Sequence, residues 1–200
     1  MEVIHSSELA EFFGILSGDG HISRYQISIT LGSKELSYAE YVAEKMTLLF
    51  AIVPKIIFTK KGHIVVYVGS VALVRYFLEQ GLASNKTKAQ IKAPEWIFRN
   101  EDYMRSFVRG FFDTDGSIYR LRYGSQISFT NRSLPLLEAL QRMLRLLEYT
   151  VSEISGPRFY ITRSGEIRKF FSDIAPANGR HIERFENIMI CAGGGAVKRS

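Results

Sequence analysis

The chain of 200 residues is poor in cysteine and has no long apolar run. Its single cysteine, Cys191, excludes a disulfide framework and a cysteine zinc cluster. No apolar stretch approaches the roughly 18 residues that a membrane span needs. The stretch MEVIHSSELAE has early acidic residues and no basic region, so we expect no signal peptide. We therefore expect an intracellular, non-secreted protein of the cytoplasm, nucleoid or an organelle matrix, with no membrane partner.

Acidic residues are fewer than basic ones. The chain has 26 Lys and Arg against 20 Asp and Glu, a net charge of +6 at pH 7. Such an excess favours a polyanionic partner, most simply nucleic acid. Hydrophobic residues make up 46% of the chain, and this proportion excludes a mainly disordered protein.

Two parts of the chain repeat each other. FFGILSGDG (12–20) aligns with VRGFFDTDG (108–116), and ISITLGSKEL (27–36) aligns with ISFTNRSLPL (127–136). Further on, Tyr67 aligns with Tyr160. The chain is therefore interpreted as two copies of one unit.

Hydrophobic periodicity gives both copies the same order of elements. The predicted helices are about 7–18, 34–50, 70–80, 101–114, 133–147 and 164–174, with strand pairs between them. We predict an α+β fold of two pseudo-symmetric αββαββα halves, each with a four-stranded antiparallel sheet. The predicted divisions are an N-terminal half (1–85), a basic linker (86–100), a C-terminal half (101–176) and a tail (177–200), whose glycine-rich end we expect to be loosely ordered.

The first helix of each half, which we call a motif helix, carries small residues at every fourth position. These are Ala10, Gly14 and Gly18 in the first and Ser106, Gly110 and Thr114 in the second. This spacing places them on one helix face. Glycine inside a helix costs about 0.5–1 kcal/mol, so its recurrence needs a packing reason. We expect the two motif helices to pack closely against each other about a pseudo-twofold axis.

Each motif helix leads into Asp-Gly, at Asp19-Gly20 and Asp115-Gly116. The glycines suit the left-handed conformation that often ends a helix. A carboxylate at the C-terminal end of a helix is electrostatically unfavourable, and a bound Mg²⁺ would relieve it. Turn formation alone would explain one such Asp-Gly, but two in register favour metal-assisted phosphodiester hydrolysis.

The two motifs resemble the paired motifs of LAGLIDADG homing endonucleases in their single-chain, two-motif form. The resemblance implies a monomer whose two sheets form a saddle over a long double-stranded DNA site. It also implies cleavage of both strands across the minor groove with Mg²⁺ or Mn²⁺, by Asp19 and Asp115. Gly18 and Thr114, which precede these acids, are further candidates for metal binding.

Members of the family usually carry basic groups near the scissile phosphates. Lys34 and Arg132 are the candidates here, with Asn131 and Gln126 nearby. The match is imperfect, because relatives often have Gln-Lys where this chain has Leu31-Gly32. Asp113 has Ser17 as its counterpart and is secondary.

Alternation along the strands separates an apolar face from a polar face that could enter the major groove. The predicted DNA contacts are Arg24, Gln26, Ser28, Thr30, Lys60, Lys61, His63, Tyr67, Lys86, Lys88, Arg120, Arg122, Gln126, Ser128, Thr130, Arg158, Tyr160 and Thr162. The lysines lie on turns or the linker and are expected to contact phosphates rather than bases.

Three functions compete at this point. The first is a site-specific DNA endonuclease cutting a long asymmetric target, free-standing and intron-encoded rather than part of an intein. The second is a binder of the same fold that does not cleave, such as a group I intron RNA maturase or a DNA-binding regulator. The third is a ribonuclease or an unrelated phosphodiesterase, which leaves the pseudo-symmetry unexplained. Both motif acids are present, and this favours the endonuclease.

Overall fold

Helices and strands alternate through residues 4–84 and 90–193, the part of the chain that this computed structural model describes. The helices are α1 Ser7–Ser17, α2 Leu36–Phe50, α3 Val71–Glu79, α4 Glu101–Asp115, α5 Leu134–Leu146, α6 Ser164–Asp173 and α7 Gly179–Gly193, with a 3₁₀ turn at Glu95–Arg99. The strands are β1 Gly20–Ile22, β2 Gln26–Leu31, β3 Lys55–Phe58, β4 Ile64–Gly69, β5 Gly116–Arg120, β6 Ser125–Thr130 and β7 Arg158–Ile161. The predicted order of elements is confirmed through α6, except that one strand of the last predicted strand pair does not form. None of the described helices is both long and apolar enough to cross a membrane.

The strands form two antiparallel sheets, in the orders β1-β2-β4-β3 and β5-β6-β7. One face of each sheet packs into the core, where Ile27, Ile29, Ile127 and Phe129 are buried. Side chains alternate along a strand, so the neighbouring positions point away from the core. The fold class is confirmed as α+β with two pseudo-symmetric halves.

The second sheet differs from the prediction because it has three strands rather than four. Residues 151–154 run beside β7 without forming a regular ladder. Ser152 N donates to Tyr160 O (2.9 Å), but Tyr160 N donates to the Ser152 hydroxyl (3.0 Å) and not to a backbone carbonyl. A side chain here replaces one ladder bond, and only an isolated bridge between Ser155 and Arg158 remains.

The motif helices α1 and α4 pack against each other, as predicted. A Cβ atom added to Gly14 would lie 2.7 Å from the backbone nitrogen of Phe111. A Cβ added to Gly110 would lie 2.9 Å from the backbone nitrogen of Ile15. Because real Cβ contacts are never this short, each glycine is required by the backbone of the opposite helix.

The glycines of the two Asp-Gly pairs are not left-handed, so that prediction was wrong. Gly116 has φ −80°, and Gly20 is not among the residues with positive φ. Both are needed for space instead: a Cβ at Gly20 would lie 2.6 Å from Leu16 Cα, and one at Gly116 would lie 2.7 Å from Phe112 Cα. Each glycine allows a strand to start directly against the end of its motif helix.

The predicted tail contains an ordered helix, α7, which starts at Gly179. Its aromatic residue Phe185 stacks on Phe171 of α6, with ring centroids 4.0 Å apart, and His181 is fully buried beside Phe112. Residues 179–193 therefore belong to the folded C-terminal half. Most of the glycine-rich end lies outside the described residues.

Candidate active site and nucleic-acid interface

Asp19 and Asp115 lie where the two motif helices end side by side. Helix α1 ends at Ser17, whereas Asp115 is the last residue of α4. A Cβ added to Gly18 would lie 3.4 Å from Asp115 N, so the two Asp-Gly segments meet across the pseudo-twofold axis. Both aspartates are partly exposed. The chain segments that carry the two aspartates are thus held near each other by helices whose separation is fixed by glycine packing.

Asp115 opens onto a cavity of ≈ 460 Å³ that also contains the polar side chains of Thr130, Asn131, Arg132 and Arg158. Asn131 Nδ2 donates to Asp115 Oδ2 at 3.0 Å. The other end of the same amide, Oδ1, accepts from Ser133 N at 2.9 Å. Since both ends of the amide are engaged, Asn131 holds one carboxylate oxygen of Asp115 in a defined position.

The linker supports the segment that carries Asn131 and Arg132. Ser133 Oγ donates to Ile91 O at 2.7 Å, and Leu134 N donates to Gln90 Oε1 at 3.1 Å. Gln90 Nε2 in turn donates to Arg132 O at 3.4 Å. Arg132 and the two residues that follow it are therefore tied to the linker, while the Arg132 side chain is exposed to the cavity.

Lys34, the other predicted basic residue, does not line the cavity around Asp115. It is exposed and lines a separate cavity with Glu35, Arg180 and Arg184. Its position after β2 corresponds to Leu134, at the start of α5, and not to Arg132. The structure therefore groups Arg132 with Asp115 but leaves Lys34 outside that group.

Asp113 is fully buried and anchors the chain just before α7. Its carboxylate accepts hydrogen bonds from Ala177 N (2.9 Å) and Asn178 N (3.1 Å). Asn178 Nδ2 also donates to Asp113 O (2.9 Å) and to Glu35 Oε1 (2.6 Å). We call residues 177–181 the strap, because they tie the second motif helix to the first half of the chain. This role of Asp113 was not predicted from the sequence.

Arg180 of the strap lies at the C-terminal end of α4. It donates to Thr114 O (2.6 Å) and Asp113 O (3.2 Å), and it pairs with Glu35 at 3.3 Å. The positive charge of a guanidinium at this position interacts favourably with the negative end of the helix dipole. Thr114 Oγ1 bonds back to Gly110 O (3.1 Å) and Phe111 O (3.0 Å), and its Oγ1 lies against Gly18. These contacts give Thr114 a packing role and do not favour it as a metal ligand.

Burial shifts two ionisable groups around the strap in opposite directions. It raises the pKa of Asp113 to about 7, although the two backbone N–H donors act to lower it. It lowers the pKa of His181 to about 3, and the nearby charges of Arg180 and Arg184 lower it further. His181 is therefore neutral at physiological pH, whereas Asp113 gains and loses its proton close to physiological pH.

The outer face of each sheet carries polar side chains in matching rows. In the first sheet His21, Ser28, Tyr67 and Lys55 lie in one row across the strands, and Thr30 pairs with Val65. The second sheet has a corresponding row of Ser117, Ser128 and Tyr160, with Thr130 opposite Arg158 and Gln126 opposite Tyr119. Exposed residues extend these faces: Arg24 in the β1–β2 turn, Lys60, Lys61 and His63 in the β3–β4 hairpin, and Thr162 after β7.

Four predicted contacts need correction. Ser28 and Ser128 point to the outer face but are buried beneath their larger neighbours. Arg120 pairs with Ser125 and shares the inward side of the sheet with Ile118, and both Arg120 and Arg122 line a cavity beside α6 and α7. These two arginines therefore lie on the helix side of the second sheet.

Two further predicted contacts, Lys86 and Lys88, lie outside the described residues. The exposed tyrosine that does lie on the outer face of β5 is Tyr119. The sequence could have indicated this, because Ile118 is the apolar residue of that strand and Tyr119 is its neighbour.

The donor set at the two motif ends fits a magnesium-type ion. Among residues 4–84 and 90–193, no group of three His, Cys, Asp or Glu side chains converges as a ready-made metal cage. Mg²⁺ is usually held by one or two carboxylates together with waters and phosphate oxygens of a substrate. Asp115 lines a cavity, and Asp19 is partly exposed just after the end of the other motif helix, so these two carboxylates would supply that kind of set.

The comparisons with known proteins agree with this fold. Residues 102–175 match the family of the LAGLIDADG-like domain. The second half of the chain therefore resembles a LAGLIDADG-like domain, and the resemblance that the two motifs indicated is confirmed.

Solved structures with the same fold include the homing endonuclease I-DmoI, with TM-score 0.59 and 20% identity, covering 84% of this chain and 94% of that one. Full-length WhiA from Thermatoga maritima has TM-score 0.60 and 18% identity, covering 98% of this chain and 64% of that one. I-DmoI has also been solved in complex with DNA and Mn. The fold is thus shared by a homing endonuclease and by WhiA, and a shared fold does not by itself define the function.

Among curated proteins, the replication factor C small subunit of Methanocaldococcus jannaschii is 26% identical over 191 residues. The match covers 92% of this chain but only 10% of that protein. The chain thus spans about a tenth of the length of this curated relative.

Proposed function

We propose that this protein is a site-specific DNA endonuclease that cuts both strands of a long asymmetric target, with Asp19 and Asp115 as the catalytic acids. The observation that carries the proposal is the meeting of the two Asp-Gly segments at the joined ends of α1 and α4. A protein that only binds DNA needs the polar sheet faces but has no use for two adjacent carboxylates at the negative ends of two helices.

The outer faces of the two sheets would provide target recognition. Gln126, Tyr67 and Tyr160 are half-exposed there and can reach base edges in the major groove. Lys60 and Lys61, at the hairpin tip, would contact phosphates. Because the two faces carry different side chains, the target is asymmetric.

The reaction is hydrolysis of one phosphodiester in each strand. The oxygen of a water molecule attacks phosphorus, one phosphorus–oxygen ester bond breaks, and the water's two protons go to the departing oxygen and to solvent. Arg132 and Arg158 line the Asp115 cavity, where a phosphate would carry the additional negative charge of the transition state. A divalent ion held by Asp19 and Asp115 would lower the pKa of a bound water and neutralise phosphate charge.

The test is cleavage of a randomised double-stranded DNA library in Mg²⁺ by the wild type, Asp19→Asn and Asp115→Asn. We expect one long asymmetric site from the wild type, and a loss of double-strand cutting of about 100-fold or more in either variant. Asp102→Asn is the matched control, because it makes the same change at the exposed start of α4. Binding of the recovered site without metal checks that the variants are folded.

The competing function is that of a nucleic-acid binder that does not cleave, because a fold shared with both I-DmoI and WhiA does not by itself define an activity. It predicts specific binding of one DNA site or intron RNA, no cutting with Mg²⁺ or Mn²⁺, and no effect of either aspartate change on affinity. That outcome would overturn the endonuclease proposal and leave the aspartates as turn residues.

A further inference from the structure

The pseudo-symmetry of the two halves shows which residues are equivalent around the two acids. Thr30 in β2 corresponds to Thr130 in β6, because Ser28 and Ser128 pair with the equivalent tyrosines Tyr67 and Tyr160. Counting on from the two threonines, Leu31 corresponds to Asn131 and Gly32 to Arg132. In the neighbouring strands, Val65 opposes Thr30 and Arg158 opposes Thr130.

These equivalent positions have different chemistry in the two halves. Beside Asp115 they hold an amide and two guanidinium groups, from Asn131, Arg132 and Arg158, and all three line one cavity with the acid. An amide and guanidinium groups can all donate to a carboxylate or a phosphate.

In the first half the same positions supply no side-chain donor. Leu31 is packed into the core at 2% exposure, and Val65 is apolar. Gly32 has no side chain, and its N–H donates to Glu35 Oε2 at 2.6 Å. Lys34, the next basic residue, lines the cavity beside Glu35 and Arg180. The fold is symmetric here, but the donors for a phosphate are not.

From this asymmetry we infer that the two cleavage half-sites are unequal and that the half-site at Asp115 holds its scissile phosphate more tightly and hydrolyses its strand first. Asn131 acts as a positioning residue, because it fixes one oxygen of Asp115. Arg132 and Arg158 act on the phosphate. The inference rests on the proposed function and specifies its order: a nicked duplex forms before the double-strand break.

Strand-resolved kinetics on a supercoiled plasmid carrying the recovered site test this order. The expected result is transient accumulation of nicked circle, always cut in the same strand, with the two strands differing in rate by about 10-fold or more. Arg132→Ala and Asn131→Leu should slow that faster strand and bring the two rates together. Arg145→Ala, which removes an exposed arginine in the last turn of α5, should leave the ratio unchanged. Equal rates in the wild type, or slowing of only the slower strand by Arg132→Ala, would overturn the inference while leaving the endonuclease proposal intact.

A second measurement needs neither metal nor cleavage. Ethylation of single phosphates in the target, followed by binding in EDTA, shows which phosphates the protein contacts. We expect interference at the scissile phosphate of one strand only, and its disappearance in Arg132→Ala. If the protein binds but never cuts, interference confined to one strand still supports unequal half-sites although the nuclease proposal fails. Equal interference on both strands overturns the inequality.

Discussion

The guanidinium of Arg180 lies 2.6 Å from the carbonyl oxygen of Thr114, one residue before Asp115. The protein thus places a positive charge of its own at the end of α4, where the negative end of the helix dipole meets an acidic residue. A bound cation was the only such compensation that the sequence suggested. Because Arg180 also pairs with Glu35, the same side chain connects the second motif to the first half.

Replacing Arg180 by Ala should lower the free energy of unfolding by about 1.5–3 kcal/mol, the range for hydrogen bonds that involve a charged group. Glu35 is largely buried and would lose its cationic partner. Urea unfolding measures the change. Arg184→Ala is the control, because Arg184 is exposed on the same helix and lines the same cavity, and its removal should cost less than about 0.5 kcal/mol. Equal effects of the two changes would show that the strap contacts do not contribute.

The shifted pKa values of Asp113 and His181 predict opposite pH dependences of stability. The folded state holds an extra proton on Asp113 between pH 3.8 and about 7, so this group makes the free energy of unfolding fall as pH rises there. The unfolded state holds an extra proton on His181 between about 3 and 6.5, so this group makes it rise. The two effects oppose each other from about pH 4 to 6.5.

Single substitutions should separate these effects. Relative to wild type, Asp113→Asn should make the slope of the free energy of unfolding against pH more positive, because the opposing effect of Asp113 is lost. His181→Phe should make the same slope more negative. Each change in slope should be up to about 1.4 kcal/mol per pH unit. Urea unfolding at pH 4.5, 5.5 and 6.5 gives the slopes, and the slope, not the absolute stability, carries the test. If the free energy of unfolding of both variants changed with pH as it does in the wild type, the shifted pKa values of Asp113 and His181 would be refuted.

A methyl group between the motif helices should disrupt the whole molecule. Gly110→Ala places a Cβ against the backbone of α1, 2.9 Å from Ile15 N, where no flexible side chain can move away. We expect a loss of roughly 3 kcal/mol or more, through forced separation of the helices. Gly165→Ala in α6 is the matched control: an added Cβ there meets nothing within 4 Å, so it should be neutral or stabilise by up to about 1 kcal/mol. Thermal unfolding of both variants provides the comparison.

The corrected positions of the arginines predict which residues control target choice. Gln126 on the outer face of β6 should read a base, so Gln126→Ala should relax preference at one position by about 1–3 kcal/mol. Arg120 faces α6 and α7, so Arg120→Ala should leave base preference unchanged. Binding to a set of singly substituted targets distinguishes them. A change in base preference with Arg120→Ala would show that the Arg120 side chain contacts bases in the major groove of the target.

The features that could be predicted from the sequence are those that depend on local patterns present in both halves of the chain. The spacing of Gly14 and Gly110 predicts the helix contact because small residues four apart share a face, and alternation around Ile27 and Ile127 predicts the buried side of each sheet. The sheet edge at Ser152 was not predictable, because an irregular hydrogen bond from a side chain replaced a regular one.

The contacts of the strap could not be predicted from the sequence repeat, because the strap lies beyond the second copy. His181, Phe185, Ile188 and Met189 follow helical spacing, so α7 could have been found from its pattern alone. Its partners could not, because Asp113 and Asn178 are far apart in sequence and only the folded chain brings them together. For the same reason the sequence indicated only a secondary role for Asp113, although it is a buried anchor.

The contact between Glu35 and Asn178 has a consequence for the order of the two halves in the chain. One partner belongs to the first repeat, and the other lies beyond the end of the second. Two identical copies of either repeat would lack this pair, and exchanging the order of the repeats would separate its members. The two halves are therefore not interchangeable: their backbones are pseudo-symmetric, but the hydrogen bond between Glu35 and Asn178 requires that the half carrying Glu35 comes first in the chain.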